Sequence, residues 1–319
     1  MSKPDILAVA KLHPFYQKAL DAVYTVHDRT HVTDPAAFAA LAPRIVGVAG
    51  TGEASVPRSL LSQLPNAKVV SVFGVGYDGV DVAAAIEHGI PVTHTPDVLT
   101  DDVADLAMGL VLSVGRTIPQ ADQFVRTGQW PSGPMALARK VSGARLGIVG
   151  LGRIGKAIAR RASGFGMSIA YTARTEKTDS GFPYFASAAA LAAQVDFLVV
   201  ITPGGAGTKH LINAEVLQAL GPRGFLVNVA RGSVVDEAAL IEALQNGTIA
   251  GAGLDVFANE PHVPESLWRL PNVVLTPHMA SATHETRQAM ADLAFANMQA
   301  GTSGQPLPTP VPECAAMQK

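Results

Sequence analysis

The segment RLGIVGLGRIGKAI, residues 145–158, limits the fold of this chain more than any other stretch. Gly150, Gly152 and Gly155 stand at GxGxxG spacing, directly after an apolar run that reads as a strand and directly before a helical pattern. In parallel α/β sheets each glycine of such a turn has its own task. Gly150 permits the tight turn, Gly152 lets backbone approach a ligand, and Gly155 lets helix and strand pack closely. The helix start offers unpaired N–H groups and the positive end of its dipole, which suits phosphate. A further strand candidate follows at 168–171, so the context is complete and the segment reads as a dinucleotide site.

The same alternation runs along the chain. A first series has β-branched runs at 6–9, 45–48, 69–72 and 90–93, with Ala/Leu-rich segments at 36–41 and 57–64 that read as helices. A second series has strand candidates at 146–149, 168–171, 197–201, 225–229, 253–256 and 273–275. Its helices are expected at 154–165, 188–193, 214–220, 237–246 and 283–300, and residues 101–116 read as a long, largely buried helix. Strands this continuous in apolar residues are covered on both faces, which predicts an α/β chain with two parallel sheets. A length of 319 residues, with 48% hydrophobic and 16% charged, accommodates two such domains and argues against disorder. The Pro-rich tail after Gly301 is expected to wrap the surface or fray.

Composition also excludes functions. A formal net charge of −2 without a basic run argues against nucleic-acid binding. The longest apolar stretch, 106–114, is about nine residues, too short to span a membrane, and the N-terminus lacks a signal-peptide pattern. Cys314 is the only cysteine, which excludes an intrachain disulfide and a cysteine-ligated metal. The histidines show no HxxxH or HExxH spacing, and no metal is expected. These features together suggest a cytoplasmic protein.

The turn after the 168–171 strand bears on the dinucleotide. An NAD site places a carboxylate there for the adenosine ribose, but this chain reads SIAYTARTEK, with Ala173, Arg174 and Thr175 and with Lys177 close behind. A guanidinium pairs bidentately with a 2′-phosphate, and the missing acid removes a repulsive neighbour. The combination favours NADP(H), the alternative being that Arg174 is a solvated turn residue. Three later segments each end a strand of the second series. NVARGSVVDE carries Arg231, LDVFANEP carries Asp255 and Glu260, and NVVLTPHMASATHETR carries His278. Ligands gather at the carboxyl ends of strands in such sheets, so a cation, a carboxylate and an imidazole would meet in one crevice, as reduction of a 2-oxo acid requires.

GIVGLGRIG, NVARGSVVDE, LDVFANEP and PHMASATHETR, with VFGVGYDGVDV and TPDVLTDDVADLAMGL upstream, resemble the D-isomer-specific 2-hydroxyacid dehydrogenase family over roughly residues 45–290. The segments TPDVLTDDVADLA and YTART look most like its NADPH-dependent glyoxylate/hydroxypyruvate and hydroxyphenylpyruvate reductase branch. The resemblance implies a flavodoxin-like substrate domain of residues 1–98 and 286–319, and an inserted NADP-binding Rossmann domain of residues 99–285. It gives Arg231 the substrate carboxylate and 2-oxo group, His278 the role of general acid, and Glu260 that of holding the imidazole and raising its pKa. The backbone amides of Val75 and Gly76 would also hold the substrate carboxylate, and Asp255 would accept from the nicotinamide carboxamide.

Cofactor contacts are further implied for Arg153, Ile154, Thr202, Pro203, Thr208, Val229, Ala230 and Ala280, beside Gly150, Gly152, Gly155, Arg174 and Thr175. The family's segment around 101–140 builds a two-fold dimer, which implies a homodimer here. Trp130 would either reach the partner's substrate site or anchor the contact. Glyoxylate and hydroxypyruvate are the expected substrates, with arylpyruvates second. A related formate dehydrogenase has Gln where Glu260 stands, which speaks against that activity. A non-enzymatic dinucleotide sensor of corepressor type is the rival from another class, and this chain has little beyond the two domains to support it.

Overall fold

The computed structural model describes residues 3–317. The chain divides into two compact units, one made of residues through Leu99 and from Ala282 onward, the other of Thr100–Ser281.

The first unit contains strands β1 (Asp5–Ala8), β2 (Thr25–Asp28), β3 (Ile45–Thr51), β4 (Val70–Phe73) and β5 (Val92–Thr93). All pair in parallel, in the order β2-β1-β3-β4-β5, the flavodoxin-like arrangement. Helices α1 (Pro14–Val23), α2 (Thr30–Thr33), α3 (Pro35–Leu41), α4 (Arg58–Leu61) and α5 (Val82–Glu87) connect them. Proline at the first position and a side-chain acceptor before it, His13 for α1 and Asp34 for α3, start two of these helices where the chain must turn. Asp81 caps α5 in the same way, accepting from Ala84 N–H at 2.9 Å.

The second unit opens with α6 (Thr100–Gly115) and α7 (Ile118–Arg126). Then follow β6 (Arg145–Val149), α8 (Arg153–Ser163), β7 (Ser168–Thr172), α9 (Ala188–Ala192), β8 (Phe197–Val200), α10 (Ala214–Leu220), β9 (Phe225–Asn228), α11 (Glu237–Gln245), β10 (Gly251–Leu254), α12 (Glu265–Trp268) and β11 (Val273–Leu275). The six strands are parallel in the order β11-β10-β9-β8-β6-β7. The chain leaves β6 for β7 on one side and returns to β8 on the other, so the topological switch lies between β6 and β8. The expected strand at 253–256 starts two residues earlier and stops at Leu254, which puts Asp255 just past its carboxyl end.

The long helix α13 (His284–Ser303), capped by the Thr283 hydroxyl, returns to the first unit and packs on α1, β3 and β4. The Ser71 hydroxyl donates to Ala294 C=O at 2.8 Å, tying β4 to its middle. The tail behaves unlike the frayed end its prolines suggest. Val311 N–H donates to Val92 C=O at 2.9 Å, Pro310 bridges Thr93 antiparallel, and Val311 and Cys314 are fully buried. The apolar contacts of these two side chains and the fixed φ of the prolines lower the cost of ordering the segment. Among the described residues no helix is long and apolar enough to cross a membrane.

Candidate active site

The glycine turn has the geometry its task demands. Gly150 has φ +107°, and a side-chain carbon there would lie 2.7 Å from Ile201 C=O. At Gly155 the same carbon would lie 2.2 Å from Gly150 C=O, whereas at Gly152 it would meet nothing within 4 Å. Two glycines therefore close the turn against β8 and α8, and the third leaves room in front of the helix. Gly152 is also the N-cap of α8, where no side chain caps the helix. The first turn of α8 thus presents backbone N–H groups and the positive end of its dipole, and the site fits a dinucleotide pyrophosphate.

The turn after β7 is pinned by two tyrosines. Tyr171 hydroxyl accepts from Lys177 N–H at 2.6 Å, and Tyr184 hydroxyl donates to Ala173 C=O at 3.3 Å. Arg174, Thr175 and Lys177 stand exposed on this fixed turn, with no carboxylate between Thr172 and Thr175. Across the switch, Thr202 and Pro203 follow β8, and the Thr208 hydroxyl closes their loop by donating to Pro203 C=O at 2.7 Å.

Three adjacent strands end in the polar residues singled out above. After β9, the buried Asn228 side chain clamps the next turn, donating to Arg231 C=O at 3.0 Å and accepting from Ala230 N–H at 3.1 Å. Val229 and Ala230 are buried, and the Arg231 guanidinium donates to Ala230 C=O at 2.8 Å, which aims it out of the turn. A side-chain carbon at Gly232 would lie 1.8 Å from Phe257 C=O, so only glycine lets this turn close on the segment that leads to Glu260.

Beyond β10 and β11, Glu260 Oε2 and His278 Nδ1 are 2.6 Å apart, and Glu260 Oε1 accepts from Phe257 N–H at 2.9 Å. Burial pushes the Glu260 carboxyl up. The His278 hydrogen bond, the Phe257 N–H and the charges of His278 and Arg231 together outweigh it and hold the group below the usual range. His278 itself has φ 49°, a left-handed conformation that costs a residue with a side chain about 1–2 kcal/mol. Its N–H donates to Asp255 C=O at 2.8 Å, which helps hold it there.

The Asp255 carboxylate organises the same loop. It accepts from the Thr276 hydroxyl at 2.6 Å, Met279 N–H at 2.9 Å and Ala280 N–H at 3.0 Å. Burial is complete and dominates, raising its pKa despite these donors. Thr276 and Asn228 are site residues that the sequence reading passed over. Each is a polar side chain at the end of an apolar strand, the signal that marked Arg231 and His278.

In the first unit, Val75 and Gly76 lie in the loop after β4, and His94 Nδ1 is 2.8 Å from Val75 C=O. Trp130, in a short 3-10 turn, is 66% exposed, and Ile118, Val125 and Leu137 are exposed with it.

Comparison with known proteins supplies the family. Residues 108–280 match the family described as D-isomer specific 2-hydroxyacid dehydrogenase, NAD binding domain. A hydroxyphenylpyruvate reductase of Plectranthus scutellarioides is 47% identical over 309 residues, 96% of this chain and 98% of the relative. The glyoxylate/hydroxypyruvate reductase A of Arabidopsis thaliana is 49% identical over 267 residues, 84% and 85% of the two chains. A crystal structure of an NADPH-dependent glyoxylate/hydroxypyruvate reductase from Sinorhizobium meliloti, with NADP and malonate, superposes with a TM-score of 0.90 at 48% identity, covering 98% of each chain. With the glycine turn, the three strand ends and these likenesses all in agreement, the chain belongs to the D-isomer specific 2-hydroxyacid dehydrogenase family and is an enzyme of that class.

Proposed function

We propose that the protein reduces glyoxylate or hydroxypyruvate to the D-2-hydroxy acid with NADPH. The observation that carries this reading is the Glu260–His278 pair, 2.6 Å apart beyond two neighbouring strands, with Arg231 beyond the third. When bound, the reduced nicotinamide supplies the hydride. Arg231 takes the substrate carboxylate and polarises the 2-oxo group, and the Val75 and Gly76 amides add donors to the carboxylate. Because Glu260 occupies Nδ1, Nε2 is the nitrogen that gives its proton to the oxo oxygen as C2 accepts hydride. The ionised Glu260 stabilises the imidazolium before transfer, and Asp255, with Thr276, keeps the loop in place. Asp255 would also be the acceptor for the nicotinamide carboxamide.

The α8 start, with Arg153 and Ile154, would hold the pyrophosphate, Arg174 and Thr175 would take the 2′-phosphate, and Thr202, Pro203, Thr208, Val229, Ala230 and Ala280 would contact the rest of the cofactor. Absorbance at 340 nm, the band of reduced nicotinamide, tests the whole reading with NADPH and NADH against glyoxylate, hydroxypyruvate and phenylpyruvate. Turnover on phenylpyruvate alone would favour an arylpyruvate reductase, a reading that the Plectranthus relative supports. Dinucleotide binding without turnover would favour a sensor. Arg174→Ala should raise KM for NADPH about tenfold or more and leave KM for NADH nearly unchanged, the loss expected for a charged pair. Equal losses on both cofactors would remove Arg174 from the phosphate.

The exposed apolar side chains of Ile118, Val125 and Trp130 supply the contact of a homodimer, since α7 buries no residue of its own. The double variant I118D/V125D should sediment as a monomer where the parent sediments as a dimer. A monomeric parent would dispose of the dimer and, with it, of Trp130 in a partner's site.

A further inference from the structure

We propose that His94 is a positioning residue for the substrate carboxylate, acting through the peptide bond between Val75 and Gly76. The inference rests on the reading that the amides of these two residues hold that carboxylate.

His94 Nδ1 lies 2.8 Å from Val75 C=O. A carbonyl only accepts, so Nδ1 carries the proton and donates. The Val75–Gly76 peptide is trans. Its C=O and the Gly76 N–H are therefore opposite ends of one rigid plane. Holding the carbonyl sets the direction of the N–H on the far side. Hydrogen bonding to the carbonyl also polarises the amide, which makes that N–H a stronger donor to an anion.

The backbone that carries the imidazole is itself held in place. His94 is nearly buried, and its N–H donates to Thr309 C=O at 3.1 Å. Its C=O accepts from the Thr309 hydroxyl at 2.6 Å and from the Asn297 amide at 3.4 Å. Asn297, fully buried on α13, also accepts from Thr309 N–H at 3.0 Å. The Tyr77 ring stands edge-on to the imidazole, with centroids 5.4 Å apart, and its hydroxyl donates to the Glu313 carboxylate at 3.1 Å. Next to it, Thr95 bonds Gly74 twice, accepting from Gly74 N–H at 3.1 Å and donating its own N–H to Gly74 C=O at 2.8 Å. The loop that meets the carboxylate thus hangs from residues 94–95, which the C-terminal segment holds in turn.

The test compares KM for glyoxylate and for methyl glyoxylate, its uncharged ester, in the parent, H94L and H94N, with thermal unfolding and KM for NADPH measured alongside. Leucine removes the donor, whereas the Asn amide places an N–H where Nδ1–H stood. H94L should raise KM for glyoxylate roughly tenfold, within what a small misplacement of a binding group produces. Its KM for the ester and for NADPH should stay near the parent values, and H94N should recover most of the loss. H94A gives the same reading if leucine does not fit the site. An unchanged KM for glyoxylate, or an equal loss on acid and ester, would overturn the role of His94. A parent enzyme that takes acid and ester equally well would instead remove the carboxylate from the Val75–Gly76 amides.

Discussion

Replacing His278 by Ala should lower kcat for 2-oxo acid reduction by about 10²–10⁴-fold, the usual contribution of a positioned general acid, while dinucleotide affinity stays within a factor of about two. In the proposed mechanism the imidazole is the proton source, and the glycine turn at Gly150, Gly152 and Gly155 follows another strand of the sheet. Stopped-flow reduction and fluorescence titration with NADPH separate the two quantities. Unchanged turnover would remove His278 as the acid. Glu260→Gln gives the finer measurement. Glu260 is ionised throughout the neutral range because its carboxyl is held below the usual value. Losing that anion destabilises the imidazolium beside it, so the acid loses its proton at lower pH. Reduction needs the protonated form, so the alkaline limb of kcat/KM should move toward acid by about one unit. Movement toward alkali, or none, would contradict the pairing.

The second large effect is expected at Arg231. Arg231→Gln should reduce kcat/KM by about 10²–10⁴-fold, as loss of one or two charge-assisted hydrogen bonds to a desolvated carboxylate implies. Arg231→Lys should recover little of it. The guanidinium is aimed by its bond to Ala230 C=O at 2.8 Å, and an ammonium on a flexible stem reproduces neither that bond nor a planar fork. Substrate saturation curves distinguish this from the His278 effect, since the loss at Arg231 includes a raised KM. A lysine variant with parental kinetics would reduce Arg231 to a point charge.

What the sequence made legible follows from where the physics is local. The strands of both sheets are apolar runs bounded by turns, and glycines at fixed spacing name their own turn. The strand β2 was passed over because Thr25–Asp28 (TVHD) is outermost in its sheet and only partly covered, so it carries no apolar run. Its pairing with β1 depends on a partner distant in the chain, which no local pattern encodes. The helix α1 carried more signal, with Pro14 at its first turn and Tyr16 and Leu20 buried four residues apart, yet Gln17, Lys18 and Asp21 break up its apolar residues. The resemblance assigns Asp255 to the nicotinamide, and its place after a strand fits that. The three donors it accepts from its own loop show only once that loop is folded. His94 was not singled out at all, because its work is done on a carbonyl nineteen positions away, at Val75.

The docked tail has one more consequence. Proline stands at 306, 308, 310 and 312, every second position. In an extended chain successive N–H groups point to opposite sides. Thr309 and Val311 turn theirs inward, to Asn297 and to Val92. Pro310 between them, like Pro308 and Pro312 on either side, has no N–H to turn outward. The segment is therefore a one-faced strand, adhesive toward β5 and barren on its other side. A neighbouring chain seeking to extend the sheet there would find few donors to pair with, so the prolines that made the tail look unstructured terminate the sheet and guard it against aggregation by strand addition.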